Sequence, residues 1–516
     1  MKILLLVLLI SFISSQDDYE KIISEEVSEE YCNNVIGNLT ALINEGYVFL
    51  DFLKAPKQPK PNYFNKMDLI KELEDINTIN RTFYDFYRDI QRIIGNTEDG
   101  HFAVYSLETP NNISLYDNYF CIPFYYYIKE VFDDDNITVN DTYLTIEQLS
   151  SCQNNYSNET LTKIKELSGQ KIISINDLDP FEYLEKMERN VISPHSPQCK
   201  YVFSLEYINE HYLFIYPHKK EDLSISIKFE GDELKTEYSF KNYNFLSQEF
   251  REFYLAEHKK YFKNNIPFPK FEEIEQKFKI EKGLINKLKD EKDMWDLKSK
   301  DETIKCRVDI ENQFNVLYQS SFAPRDFDDY EDIMYKCFSK FYSNKYKIII
   351  IESRNGGGYS ELCVPFTEYL RPKISKPSII SLKSTELNLK NFFRIDENLN
   401  PKTCFPYTEE DNILDGYEDI YNDGIDEVIH KRTKDIEGFN IFEKKILEKK
   451  REEYLNTGNT KKPTEILVFT DGYSFSCTSV FIKGLQVHGH GIIVGYNAKP
   501  GINKEDFDAS QSNSVC

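Results

Sequence analysis

Residues Lys347-Ile348-Ile349-Ile350-Ile351-Glu352 form an apolar run closed by an acid, and Arg354-Asn355-Gly356-Gly357-Gly358 follow at once. Four β-branched residues in succession suit a strand better than a helix. An apolar run without alternation fits a parallel sheet covered on both faces. Glycines then open a turn into a helix over 359–370. The same grammar returns downstream: a strand over 465–469, a turn over 470–475, a helix over 476–486 and a strand over 491–495. A strand over 314–318 and a helix over 329–341 precede both units. Strands alternating with helices predict βαβ units in one largely parallel sheet.

Upstream the period changes. Apolar residues recur every three or four positions across 67–94, as amphipathic packed helices require. Gly95-Asn96-Thr97-Glu98-Asp99-Gly100 ends that region, and His101 leads into an expected strand over 102–105. Short strands are expected over 120–128, 172–176, 212–216 and 223–227. Asp179 and Pro180 read as the cap and first position of a helix. Residues 259–300 are charged and helix-permissive, with their charges forming a solvated face. Residues 389–455 are polar and resist assignment. A length of 516 residues allows two or three domains.

Met1-Lys2, an apolar run over 3–13 and Ser14-Ser15-Gln16 read as a signal peptide, too short to span a bilayer. Sequons at Asn38, Asn80, Asn112, Asn136, Asn140, Asn155 and Asn158, with ten cysteines and no CxxC pair, fit a secreted chain with disulfides. No later stretch is apolar enough for a transmembrane segment. The net charge of −23 argues against nucleic acid as a partner.

Ser476 falls where a strand–turn–helix unit would put a side chain at a helix N-terminus. Free N–H groups there stabilise negative charge, and the Cys477 N–H is placed to hold an oxyanion. A serine at that position is also an ordinary helix cap. Gly356-Gly357-Gly358 suits an oxyanion hole, a phosphate cradle or simply a tight turn. Neither a GxGxxG nor a P-loop spacing is present. His488 and His490, two apart, fit a loop better than a metal site.

Taken in order, four segments resemble the tail-specific (C-terminal processing) protease family. Residues 348–358 resemble its strand–acid–Arg–Asn–glycine segment. Residues 466–495 resemble its nucleophile segment, and register with Gly489 and Val494-Gly495 puts the nucleophile on Ser476, not Ser474 or Ser479. Asp99-Gly100-His101 resembles the Asp-x-His of the branch with a His base, and residues 172–181 look like its PDZ-like module. Arg354 and Asn355 are adjacent where the family usually has one residue between them. Ser479 replaces a usual Glu, and Lys499 lies two residues before the Lys of the Ser–Lys branch, so the Ser–His branch fits better. The Glu that orients the His in that branch lies several tens of residues beyond the Ser. The chain stops at Cys516, so C-terminal truncation is expected, and Glu505, Asp506 and Asp508 are poor substitutes.

The resemblance implies an α/β multidomain chain. A signal peptide (1–15) precedes an N-terminal helical region (16–115) carrying the His motif. A PDZ-like β-rich module (116–247), a charged helical linker (248–300) and a ClpP/crotonase-like β/α catalytic domain (301–516) follow. It implies a secreted serine endopeptidase acting on protein or peptide, without metal or cofactor. Ser476 would be the nucleophile, His101 the general base, and Gly357, Gly358 and Cys477 the oxyanion hole. The alternatives are an inactive ligand- or peptide-binding protein on the same fold, and peptide recognition by the PDZ-like region alone through strand addition.

Overall fold

The computed structural model describes residues 19–55, 66–99, 102–106, 109–111, 118–132, 139–149, 156–188, 204–205, 210–212, 223–242, 294–370, 378–380, 383–386, 388–390, 398–400, 405, 407–408, 411, 413, 416–422, 427–434, 436–440, 461–471, 474–487 and 489–495. The expected signal peptide and most of the charged linker lie outside these residues.

Strand β1 (Glu26–Val27) leads into helix α1 (Glu29–Gly46), which Ser28 caps by accepting the Tyr31 N–H at 3.1 Å. Helices α2 (Leu50–Lys54), α3 (Leu69–Glu74) and α4 (Phe83–Gly95) pack with α1 around Ile36, Ile43, Leu73, Phe86 and Ile90. The helical period over 67–94 is therefore two helices. An Asx turn at Asn77, which accepts the Ile79 N–H, and Asn80 at φ +51 break it. The chain then forms β2 (Arg81–Thr82), antiparallel to β1. Residues 102–106 form no strand. Phe102 and Val104 rest on the helical core, Gln91 Nε2 donates to the Val104 carbonyl, and the Ser106 N–H donates to Tyr87 Oη. Helix side chains thus take bonds that a ladder would have used.

The expected strand over 120–128 is two: β3 (Asn118–Cys121) and β4 (Phe124–Phe132). Pro123 separates them because it has no N–H to give a ladder. There follow β5 (Val139–Leu149), α5 (Asn158–Leu167), β6 (Ile172–Ile175), α6 (Pro180–Glu188), β7 (Glu210–Tyr212), β8 (Ser224–Phe229), β9 (Asp232–Glu237) and β10 (Ser239–Asn242). Asp179 caps α6 by accepting the N–H groups of Phe181 and Glu182. These strands make antiparallel sheets β10-β3-β7, β4-β5 and β6-β8-β9 around Phe120, Phe124, Ile146, Ile175 and Ile227. Residues 213–216 of one expected strand lie outside the described residues.

The third body is the α/β unit. β11 (Leu297–Lys298), β12 (Ile304–Asp309), β13 (Phe314–Gln319), α7 (Phe327–Tyr342), β14 (Lys347–Glu352) and α8 (Ser360–Leu370) come first. Short strands β15 (Ser378–Ile380), β16 (Asn398–Leu399), β17 (Tyr417–Asn422), β18 (Glu427–Arg432) and β19 (Ile436–Asn440) intervene. β20 (Ile466–Thr470), α9 (Cys477–Val487) and β21 (Ile492–Gly495) complete it. The sheet order is β11-β12-β13-β14-β20-β21, parallel from β13 onward. It starts at Leu297, inside the segment expected to be linker.

Helices α7, α8 and α9 share one core with Ile348, Ile350, Ile466 and Val468. Ile349, Ile351, Leu467 and Phe469, on the opposite face, are only half-buried. The unbroken apolar run at 347–352 thus predicted two covered faces where one is fully covered by described residues. Disulfides join Cys306 to Cys337 (β12 to α7) and Cys363 to Cys477 (α8 to α9). Among the described residues no helix is long and apolar enough to cross a membrane.

Candidate active site

β14 and β20 lie side by side, with Glu352 opposite Thr470. Their C-terminal turns therefore emerge together, the place where open α/β sheets bind ligands. Ser476 is the last residue of the β20 turn, and its carbonyl accepts the Val480 N–H (3.1 Å). Its φ is +54. That left-handed backbone is rare for a residue with a side chain and costs on the order of 1–3 kcal/mol. A capping serine has an extended backbone, and its oxygen accepts an N–H of the first turn. Ser476 does neither: it is half-buried, and its hydroxyl makes no hydrogen bond among the described residues. The two neighbouring serines are committed elsewhere. Ser474 Oγ pairs with Thr470 Oγ1, and Ser479 Oγ donates to the Ser474 carbonyl at 3.0 Å, both residues being buried.

The glycine turn presses against this serine. Gly357 sits at φ +96, and a Cβ there would lie 2.7 Å from Ser476 Cβ, 2.7 Å from the Phe475 carbonyl oxygen and 2.8 Å from the Cys477 nitrogen. Gly358, at φ +143, would put a Cβ 2.2 Å from the Phe322 carbonyl carbon. Only glycine serves at either place. The Phe322 N–H donates to the Gly357 carbonyl (2.8 Å) and the Tyr359 N–H to the Phe322 carbonyl (2.9 Å), pinning the turn to the end of β13.

Of the three expected oxyanion donors, one is already engaged: the Gly357 N–H donates to Asn355 Oδ1 at 3.0 Å. The N–H groups of Gly358 and Cys477 make no hydrogen bond among the described residues. Beneath the turn, Glu352 and Asn355 have no exposed surface. Burial pushes the Glu352 carboxyl well above the usual carboxylate range, and the nearby Asp471 charge adds to this, against the Asn355 hydrogen bond. The Arg354 N–H donates to Asp471 Oδ2 (3.0 Å), and Arg354 also has a left-handed backbone, at φ +54.

Ser476, Cys477, Gly357 and Gly358 are thus brought together. His101 and Gly100 lie outside the described residues, as do His488, Lys499, Glu505, Asp506 and Asp508. Asp99 is buried at the end of the helical region. His490 is buried and its backbone N–H donates to the Leu485 carbonyl. No group of three or more His, Cys, Asp or Glu suited to a metal occurs among the described residues. Sequence reasoning assigned no structural role to Glu352 and Asn355 and no pairing to Cys477. The usable signal was an acid ending an otherwise apolar, covered strand.

No protein-family model matches the chain, and no curated protein does. Among solved structures, mature CPAF is similar at 12% identity, covering 90% of this chain and 83% of that one with a TM-score of 0.48. The photosystem II D1 C-terminal processing protease is similar at 9% identity, covering 90% and 80%, with a TM-score of 0.29. An S41 protease from Bacteroides fragilis is similar at 9% identity, covering 89% and 76%, with a TM-score of 0.26.

Proposed function

We propose that the chain is a serine peptidase of the acyl-transfer kind, with Ser476 as nucleophile and His101 as general base. The observation that carries this reading is the backbone of Ser476. It is left-handed, without a capping bond, at the mouth of two adjacent parallel strands and in contact range of a glycine that no other residue could replace. Left-handed backbone also serves ordinary turns, as at Asn80, so the reading rests on its coincidence here with the missing cap and the Gly357 contact. In the proposed step, His101 takes the Ser476 proton as Oγ attacks a peptide carbonyl. The developing oxyanion is received by the N–H groups of Cys477 and Gly358, since that of Gly357 is bonded to Asn355. Each such donor is worth about 10²–10³ in rate. The Cys306–Cys337 and Cys363–Cys477 disulfides support the secretory destination read from the N-terminus. The test is labelling of the secreted protein by a fluorophosphonate probe. Labelling that disappears in Ser476→Ala supports the reading. Absence of labelling, or labelling unchanged in that variant, would favour a binding protein on this fold.

A further inference from the structure

Asn355 bonds to both turns around Ser476, through its side chain to one and its main chain to the other, and it is itself held by a buried acid. Its Nδ2 donates to Glu352 Oε2 at 2.5 Å and to the Gln319 carbonyl at 3.4 Å. Its Oδ1 accepts the Gly357 N–H at 3.0 Å. Its own carbonyl accepts the N–H of Phe475, the residue before Ser476, at 3.2 Å. One amide therefore fixes the glycine turn, and the same residue's main chain fixes the turn that presents the serine. Gln319, whose carbonyl anchors the amide, is buried and accepts a hydrogen bond from Tyr330 Oη at 2.8 Å.

Glu352 completes the arrangement at a cost. Its side chain has no exposure, and Oε1 has no hydrogen-bond partner among the described residues. A buried carboxyl with one oxygen unsatisfied is unfavourable, and an apolar side chain of similar volume would remove that penalty. Yet the acid stands at the end of β14, with its one hydrogen bond directed at Asn355. We infer that Glu352 and Asn355 are a positioning pair for the Ser476 reaction: Glu352 orients the Asn355 amide, and Asn355 holds the Gly357 and Phe475 turns so that the Gly358 and Cys477 N–H groups face the oxyanion. The pair touches no substrate and moves no proton in the reaction. The inference rests on the serine-peptidase reading and goes beyond it in saying what holds the site in register.

The polarity of the bond supplies the test. In Asn355→Asp the acceptor for the Gly357 N–H is kept, but the donor to Glu352 and to the Gln319 carbonyl is lost and two carboxyls face each other. In the double variant Glu352→Gln/Asn355→Asp the direction is reversed. The amide introduced at position 352 donates, the carboxylate introduced at position 355 accepts, and the number of heavy atoms is unchanged. Fluorophosphonate labelling, in which Ser476 Oγ attacks phosphorus and expels fluoride, separates the phosphonylation rate from probe binding when run at saturating and sub-saturating probe. The expected result is phosphonylation about 100-fold slower in Asn355→Asp with probe binding unchanged, restored to within about 5-fold of wild type in the double variant. Phosphonylation within about 3-fold of wild type in Asn355→Asp, or no recovery in the double variant, overturns the pair. If Asn355→Asp does not fold, Glu352→Met carries the test, because it removes the acceptor and the buried acid but little volume. Its phosphonylation is expected to be about 10-fold slower, and a wild-type rate overturns the inference. A wild-type protein that the probe never labels overturns the peptidase reading, and the pair's role falls with it; a labelled wild type with indifferent variants overturns the pair alone.

Discussion

At Gly357 a single methyl group is enough to separate the two turns of the site. The Cβ of an alanine would need to occupy space within 2.8 Å of three atoms of Phe475, Ser476 and Cys477, at φ +96. Gly357→Ala is therefore expected to lose at least about 100-fold in labelling rate and about 1–3 kcal/mol in stability, read by denaturant unfolding. Wild-type labelling in a folded Gly357→Ala protein would remove the basis for the close approach. Glu352 gives a second prediction. Its carboxyl binds its proton more tightly folded than unfolded, because burial disfavours the charged form. The folded state then holds more protons than the unfolded one above the ordinary value of 4.5, so stability falls as pH rises from there toward the folded value. Glu352→Gln removes that loss. The melting temperature of the variant minus that of wild type should grow between pH 4.5 and pH 8, and a constant difference contradicts the burial argument. Only part of this was legible in the sequence: an acid closes the apolar strand and glycines open the turn, while Ser476 alone read as a cap and became the expected nucleophile only through register with Gly489 and Val494-Gly495. What sets Ser476 apart from a cap is its φ of +54, in a turn bonded to Asn355 and packed against Gly357, and propensity at position 476 carries no trace of it.

The parallel strands and their helices were legible because pattern and period agree there. β14 occupies the apolar run as read, and α7 and α9 differ from their expected limits by one or two residues. Reading failed where local chemistry outvoted pattern: at Pro123 inside one expected strand, and at residues 102–105, where Gln91 bonds the Val104 carbonyl. The pairing of Cys363 with Cys477 was also invisible, since ten cysteines admit many partners. That disulfide joins the helix after the glycine turn to the helix after Ser476 across 114 residues. In the chain-entropy view a closed loop of this length is worth about 4–5 kcal/mol. Cys363→Ala/Cys477→Ala should accordingly lower unfolding stability by several kcal/mol and slow labelling, as the two turns gain freedom. An unchanged denaturant midpoint would show that the bond adds nothing to the helix pair.

Across the molecule, the polar stretch over 389–455, unreadable in sequence, acquires meaning from what it touches. Lys383, just ahead of it, is buried and donates to the carbonyls of Asn44 (2.9 Å) and Tyr47 (3.3 Å), at the end of α1. Thr385 donates to the Glu45 carbonyl, and His430 in β18 meets Asp51 of α2 at 3.1 Å and packs on Phe52. These contacts tie the insertion in the α/β unit to the helical region that leads toward His101. Such polar docking leaves no apolar period for a reader to find. Lys383→Met strips two helix-end carbonyls of their donor and should cost about 1–3 kcal/mol of thermal stability, while Lys383→Arg should retain most of it. Equal melting temperatures for Lys383→Met and wild type would mean that the insertion does not brace the helices. One atom, Ser476 Oγ, carries the proposed function of the whole molecule. Mass-spectrometric mapping of the fluorophosphonate adduct on the intact chain tests it most directly. The adduct is predicted on Ser476 alone, and an adduct on Ser474 or Ser479, or on no serine of this turn, contradicts it.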